Sequence, residues 1–285
     1  MNEQETVKAE RLDQYVVRQL PELSRSSATK LIDAGSVSIN GKLATKSATK
    51  VWPEDKVEIN YAPGTPLTEH IDLPIIYEDK SCVVINKPLG VLTHSKGAFN
   101  PEATVATWLS SKVKDMTGER AGIVHRLDRA TSGVMICAKT PEALSWLQKQ
   151  FSQRKVKKTY IALVNGQLEP SQAVIDMPIE RNPKKPQTFR VGANGKPAVT
   201  AYKVLETNGR QSLVELKPTT GRTHQLRVHL HKLGHPILGD TFYDGQPADR
   251  LYLHALSLEI TLPNKQRMTF EAPLPDDFRL HEDEK

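Results

Sequence analysis

The sequence predicts an α+β fold: a small N-terminal unit of helices and short strands, then a larger region built on a mixed, largely antiparallel sheet. Three observations carry this. Short β-rich runs recur from Ile71 onward, at 75–77, 82–86, 134–138, 160–164, 199–205, 213–216, 225–230 and 256–262. Only two stretches among them, 104–113 and 141–151, have helical length and pattern. The gaps between runs are mostly too short to hold the crossover helices that a parallel sheet needs.

The N-terminal elements follow in order. Over residues 10–20, Leu12, Tyr15, Val16 and Leu20 share one helical face, and Pro21 ends the helix. Ser24 is placed to cap a second helix whose inner face is Ala28, Leu31 and Ile32. Gly35 follows its last turn, where helices often close in a left-handed residue. Val37-Ser38-Ile39 then alternates, Asn40-Gly41 supplies a tight turn, and Lys42-Leu43-Ala44 leaves it. Pro53-Glu54-Asp55 turns again into Val57-Glu58-Ile59. Residues 61–70 hold two prolines and a glycine with little apolar content, which reads as a linker. The boundaries are therefore a small domain at 1–60, a linker at 61–70 and a large domain at 71–285.

Composition bounds the function. The chain has 285 residues, 38% hydrophobic and 25% charged, so it carries enough apolar side chains for a core. No apolar run approaches the roughly 20 residues that span a bilayer. The start, MNEQETVKAE, lacks the apolar stretch of a secretory signal. Cys82 and Cys137 sit in apolar runs and read as buried thiols, which points to a reducing, cytoplasmic setting. The formal net charge is +6. Its distribution is uneven: Arg25, Lys30, Lys42, Lys46 and Lys50 face only Asp33 over residues 24–50, and ten basic residues face three acidic ones over 149–196. Two basic patches suggest a polyanion, most simply nucleic acid, although lysine-rich solvated faces give the same pattern.

Two stretches carry chemistry. In Gly122-Ile123-Val124-His125-Arg126-Leu127-Asp128-Arg129-Ala130-Thr131-Ser132-Gly133, an apolar approach ends in a polar turn. A carboxylate between two arginines is favoured in its ionised form, so Asp128 can serve as nucleophile or general base. The plainer reading is a turn aspartate capping backbone amides. In Lys217-Pro218-Thr219-Thr220-Gly221-Arg222-Thr223-His224-Gln225-Leu226-Arg227-Val228-His229-Leu230, apolar and polar residues alternate as on a half-buried strand, with Arg222 at its start. A guanidinium there could pair with a carboxylate or a phosphate. His224, His229, His231 and His235 lie close together, with His229 and His231 on one strand face. No carboxylate, cysteine or HExxH spacing accompanies them, so no metal site is expected. His-Arg-Leu-Asp also approaches a kinase catalytic loop, but no glycine-rich loop or Asp-Phe-Gly is present.

The N-terminal segment resembles the S4 RNA-binding module, through Arg11-Leu12-Asp13, Ser24-Arg25-Ser26, Leu31-Ile32-x-x-Gly35-x-Val37-x-Ile39-Asn40-Gly41 and Pro53-Glu54-Asp55-x-Val57. The remainder resembles the RluA family of pseudouridine synthases, in its S4-containing branch typified by RluC and RluD. The matching motifs are Asn86-Lys87-Pro88-x-Gly90-x-x-x-His94, the 125–133 run, Lys158-x-Tyr160-x-Ala162 and the 216–229 run. Gly239-Asp240-x-x-Tyr243, Leu253-His254-Ala255 and Ala272-Pro273-Leu274-Pro275 complete the set. Ala130 departs from the polar or charged residue usual at its position.

The resemblance implies isomerisation of uridine to its C-glycoside in RNA, without metal or organic cofactor. It implies Asp128 as nucleophile, Tyr160 packed on the target base and Arg222 paired with the catalytic carboxylate. It further implies Arg126 in the space vacated by the flipped nucleotide and Leu216 as an apolar pocket residue. Arg25 and Lys30 in the S4-like unit, and Lys155, Lys157 and Lys158 before Tyr160, are expected to meet RNA. The expected partner is structured RNA, most simply large-subunit ribosomal RNA, and the protein is expected to be a monomer. The alternatives are a tRNA pseudouridine synthase, or a non-catalytic RNA-binding or ribosome-assembly protein that keeps the fold.

Overall fold

The computed structural model describes residues 9–21, 23–61, 71–94, 102–116 and 120–280. Most of the segment read as a linker therefore lies outside the described residues. The chain divides into two compact units: residues 1–72 with 94–111 and 117–121, and residues 73–93 with 112–116 and 122–285.

The described elements of the first unit are β1 (Glu10–Arg11), α1 (Leu12–Gln19), α2 (Arg25–Asp33), β2 (Val37–Ile39), β3 (Lys42–Leu43), β4 (Lys50–Val51), β5 (Val57–Ile59) and the short α3 (Val105–Leu109). Ser24 caps α2 as its sequence position suggests, its hydroxyl accepting from the Ser27 amide at 3.1 Å. Leu12 and Val16 of α1 and Ala28, Leu31 and Ile32 of α2 are fully buried in one cluster with Val37. Asn40 and Gly41 both take positive φ (51° and 78°), the geometry of a tight hairpin turn, and β2 pairs antiparallel with β3 and β5. Residues 10–11, read as the first turn of a helix, instead pair with β4.

The second unit holds β6 (Ile75–Glu78), β7 (Cys82–Lys87), β8 (Ser132–Ala138), α4 (Pro141–Ser152), β9 (Lys157–Asn165), β10 (Gln172–Asp176), β11 (Ile179–Arg181) and β12 (Phe189–Val191). It continues with β13 (Val199–Thr207), β14 (Gln211–Pro218), α5 (Gln225–Lys232), β15 (Leu253–Thr261) and β16 (Arg267–Glu271). A sheet in the order β10-β13-β14-β9-β15-β8-β7-β6 runs through it, with β16 added to β15. Among the described residues its pairings are antiparallel except β8 with β15, so the predicted mixed, largely antiparallel α+β architecture is what forms.

That one parallel pairing needs Gly133. Its φ is +118°, and a Cβ there would lie 2.2 Å from the Ala255 carbonyl oxygen. β8 is buried along its whole length, which fits its run of Val134, Met135, Ile136 and Cys137. Both thiols are buried, and burial pushes their pKa values up to about 12.

One element departs from the sequence reading in kind. Residues 225–230 form helix α5, not a strand. Gln225, Leu226, Arg227, Val228, His229 and Leu230 are all buried, so there is no polar outer face for the alternation to mark. Gly234, at φ +85°, follows the helix where a left-handed residue commonly ends one.

Candidate active site

Asp128 lies in the loop leading to β8, and a second loop holds that segment. Thr93, buried, donates its hydroxyl to the Leu127 carbonyl at 2.8 Å and accepts from the Leu127 amide at 3.2 Å. The Gly90 amide donates to the Arg129 carbonyl at 3.0 Å. Lys87, fully buried at the end of β7, donates to the carbonyls of Pro88 and Val91 at 2.9 and 2.8 Å. Burial pushes its pKa down to about 8, partly opposed by the charge of Asp128. The backbone on both sides of Asp128 is thus tied to residues 87–93. A turn closes the loop, the Thr131 amide donating to the Asp128 carbonyl at 3.0 Å.

Two side chains from the 221–232 segment reach the Asp128 carboxylate. Arg227 Nη1 and His224 Nε2 each lie 3.7 Å from Asp128 Oδ2. Arg227 is itself held by Asp240, which accepts from Nε and Nη2 at 2.7 Å each. The Tyr243 ring, with its centroid 5.0 Å from the guanidinium carbon, packs against the same group. His224 takes the left-handed conformation at φ 56°, immediately before α5.

The structure corrects the pairing expected of Arg222. Its Nε donates to the Pro197 carbonyl at 3.0 Å, and the arginine within ion-pair range of Asp128 is Arg227. Arg222 nevertheless lines two cavities, each with Tyr160 in its wall. Gln225 fixes this turn: its side-chain oxygen accepts from the Arg222 amide at 3.0 Å and the Thr220 hydroxyl at 2.7 Å. Its amide nitrogen donates to the Val199 carbonyl and the Thr200 hydroxyl, both at 3.0 Å.

A cavity of about 130 Å³ is lined by Asp128, Tyr160, Arg222, His224 and Arg227. Its apolar lining comes from Leu127, Leu226 and Leu253. Leu216, expected in the pocket wall, is fully buried in the core opposite Tyr160 in the β14–β9 pairing and is not among the lining residues. Burial raises the Tyr160 pKa, and the charge of Asp128 adds to the shift, so the phenol stays protonated at neutral pH.

A second cavity of about 410 Å³ adjoins the first and shares Arg126, Lys158, Tyr160 and Arg222 with it. Arg154 also lines it, so the walls carry four cationic side chains. Lys158 donates to the Thr220 carbonyl at 3.0 Å, and burial holds its pKa at about 8. Lys155 and Lys157 are exposed, Lys157 beside Glu259 at 3.2 Å. In the first unit Arg25 donates to Asp13 at 3.0 Å and Lys30 is exposed on α2. Asp13 is buried, and its hydrogen bonds with Arg11, then Arg25, hold its pKa at about 2.

The histidines of the 224–235 run diverge. His224 meets Tyr243, His229 meets Thr200 and the Met177 carbonyl, His231 meets Asp244, and His235 meets the Asn165 carbonyl. Sequence reasoning gave no role to Arg227, His224 or Tyr243 and quoted Asp240 only as part of a motif. The helix itself left a signal, since Leu226, Leu230 and Leu233 recur at helical spacing before Gly234, but the partners of Arg227 and His224 come together only through folding.

Comparison with known proteins gives the family. The RNA pseudouridylate synthase family matches residues 81–232, and the S4 domain matches residues 10–57. The chain is 40% identical to ribosomal large subunit pseudouridine synthase D of Nitrosomonas europaea, over 94% of this chain and 82% of that protein. It is 37% identical to an uncharacterized RNA pseudouridine synthase of Synechocystis, over 94% of this chain and 86% of the other. Human RNA pseudouridylate synthase domain containing 4 shares the fold with a TM-score of 0.59 and 32% identity, over 72% of this chain and 90% of that one. The chain belongs to the RNA pseudouridylate synthase family, carries an S4 domain at its N-terminal end, and is an RNA-modifying isomerase that converts uridine to pseudouridine.

Proposed function

We propose that the protein isomerises uridine in large-subunit ribosomal RNA and that Asp128 initiates the reaction. The observation that carries this reading is a carboxylate in ion-pair range of Arg227, lining a cavity that also presents the Tyr160 ring. Uridine and pseudouridine are isomers. The bond from N1 to C1′ breaks, the base turns, C5 bonds to C1′, and the proton on C5 is lost while N1 gains one. An ionised carboxylate can open this sequence by attack on C1′, by attack on C6, or by removing a ribose proton. Each route needs the carboxylate charged and aimed, which Arg227 supports.

The target must leave its stack, which takes a few kcal/mol. Stacking on an aromatic ring returns about 1–3 kcal/mol, the role given to Tyr160. A protonated phenol suits ring packing better than a standing phenolate base. The cationic second cavity, with Arg154, Lys158 and Arg222, is where the phosphates flanking the flipped nucleotide bind, and Arg126, which lines both cavities, takes the space that nucleotide vacates. Arg25 and Lys30 supply a second, tethered contact through the S4 domain, which raises effective affinity for a large folded RNA. The curated relatives include several named ribosomal large subunit pseudouridine synthase D, which favours that RNA over tRNA.

The test is to incubate the protein with unmodified large-subunit RNA, small-subunit RNA and bulk tRNA and to map pseudouridine in each. Product in large-subunit RNA is expected. Product confined to tRNA would overturn the substrate assignment while leaving the chemistry intact.

A further inference from the structure

We infer that His224 is a positioning residue for the nucleophile: Tyr243 holds it as the Nε2–H tautomer, and it presents that N–H toward Oδ2 of Asp128. The inference rests on the reading of Asp128 given above.

Three groups favour this proton placement. The Phe189 amide donates to the Tyr243 hydroxyl oxygen at 2.9 Å. That same oxygen lies 2.8 Å from His224 Nδ1. With one lone pair of the oxygen taken by an N–H, the phenolic proton is used if it points at Nδ1. Nδ1 is then the acceptor, and a neutral ring carries its hydrogen on Nε2. Tyr243 keeps that proton, since burial pushes its pKa up to about 12. Burial also lowers the His224 pKa, against the pull of Asp128, so the ring is neutral at pH 7.

The ring is fixed in direction as well as in tautomer. It meets Phe189 and Tyr243 edge-on, at interplanar angles of 77° and 88°. The residue pays for this orientation with a left-handed backbone at φ 56°, which a non-glycine residue seldom adopts. Nε2 then lies 3.7 Å from Asp128 Oδ2, the oxygen that Arg227 also approaches. At 3.7 Å neither contact is yet a hydrogen bond, but a charged donor and a neutral one both lie within closing distance of this oxygen. Together they bias how the carboxylate meets the substrate.

The first experiment reads the tautomer directly in the wild-type protein. Nitrogen NMR of histidine-labelled wild-type protein, with the His224 signal assigned by its loss in His224→Gln, should show the neutral Nε2–H form at pH 7. In Tyr243→Phe the Nδ1–H form should gain population. The second experiment is single-turnover pseudouridine formation. His224→Ala should slow the step by about tenfold, the worth of one hydrogen bond made to Asp128 in the reacting complex, with RNA affinity unchanged. His224→Gln, whose amide can still donate, should recover part of the rate. An Nδ1–H form in wild type, or a wild-type rate in His224→Ala beside an inactive Asp128→Asn, would overturn the inference alone. A wild-type rate in Asp128→Asn would overturn the reading of Asp128, and this inference with it.

Discussion

Arg227 and Asp240 form a buried two-point ion pair, Nε and Nη2 each 2.7 Å from a carboxylate oxygen, and the third guanidinium nitrogen is the one aimed at Asp128. The Asp240 side chain has no exposure to solvent. Removing one partner of such a pair leaves an uncompensated buried charge, which destabilises by about 3–5 kcal/mol. Arg227→Ala should therefore lower stability by that amount in urea denaturation. Arg227→Met with Asp240→Leu should lose less than the two single changes summed. Additive losses would show that the pair is not coupled.

Gly133→Ala should be among the most damaging single-methyl additions in the chain. The new Cβ would meet the Ala255 backbone where β8 pairs with β15, five residues beyond Asp128. The expected result is a fall in thermal midpoint together with loss of activity, since the strand it distorts follows directly on the loop that carries Asp128. Wild-type stability in the Gly133→Ala protein would contradict the close approach.

Acid should weaken the second unit through His125. Its Nε2 accepts from the Ile136 amide at 3.1 Å, and its ring stacks on Phe151 at 4.5 Å. Burial, and secondarily the charge of Lys158, hold its pKa down at about 3. An unfolded histidine titrates near 6.5, so between these values the unfolded chain binds the extra proton and stability rises with pH. The contribution is complete above pH about 6.5 and is lost as pH falls toward 3, at up to about 1.4 kcal/mol per pH unit. Urea denaturation at pH 7.5, 6 and 5 should show this slope, and His125→Gln should flatten it.

RNA affinity should fall as pH rises through about 8, where Lys158 loses its proton. Binding to phosphate favours the charged amine, so deprotonation opposes binding. Lys158→Arg should hold its affinity from pH 7 to 9 while wild type weakens. Each phosphate contact removed should also reduce the salt slope of log K by about 0.7–0.9. Parallel pH profiles for the two proteins would place Lys158 away from the RNA.

The S4 unit was legible because its signals are local: Ser24 before a helical face, Gly35 after it and Asn40-Gly41 between two short strands. Asp128 stands out in the sequence because its motif is contiguous. Arg227 does not, because the groups that give it a role, Asp240 and Asp128, meet it only through folding. The misreading of 225–230 has the same root. Leu226, Val228 and Leu230 alternate over six residues, too short a window to separate a strand from a buried stretch of helix. Strands β10 and β16 escaped notice because each buries a single hydrophobic residue, Ile175 and Phe270, among exposed neighbours. Arg222 shows the limit of transfer by motif, since its Nε is engaged by Pro197 rather than by Asp128.

The most direct test is single-turnover pseudouridine formation by wild type and Asp128→Asn on the same unmodified large-subunit RNA, with RNA affinity measured in parallel. Asn keeps the size of the side chain and removes its charge, so the pocket should bind RNA nearly as before. Product from wild type alone, at matched affinity, is the predicted result. Product from Asp128→Asn at the wild-type rate would show that this carboxylate does not initiate the reaction.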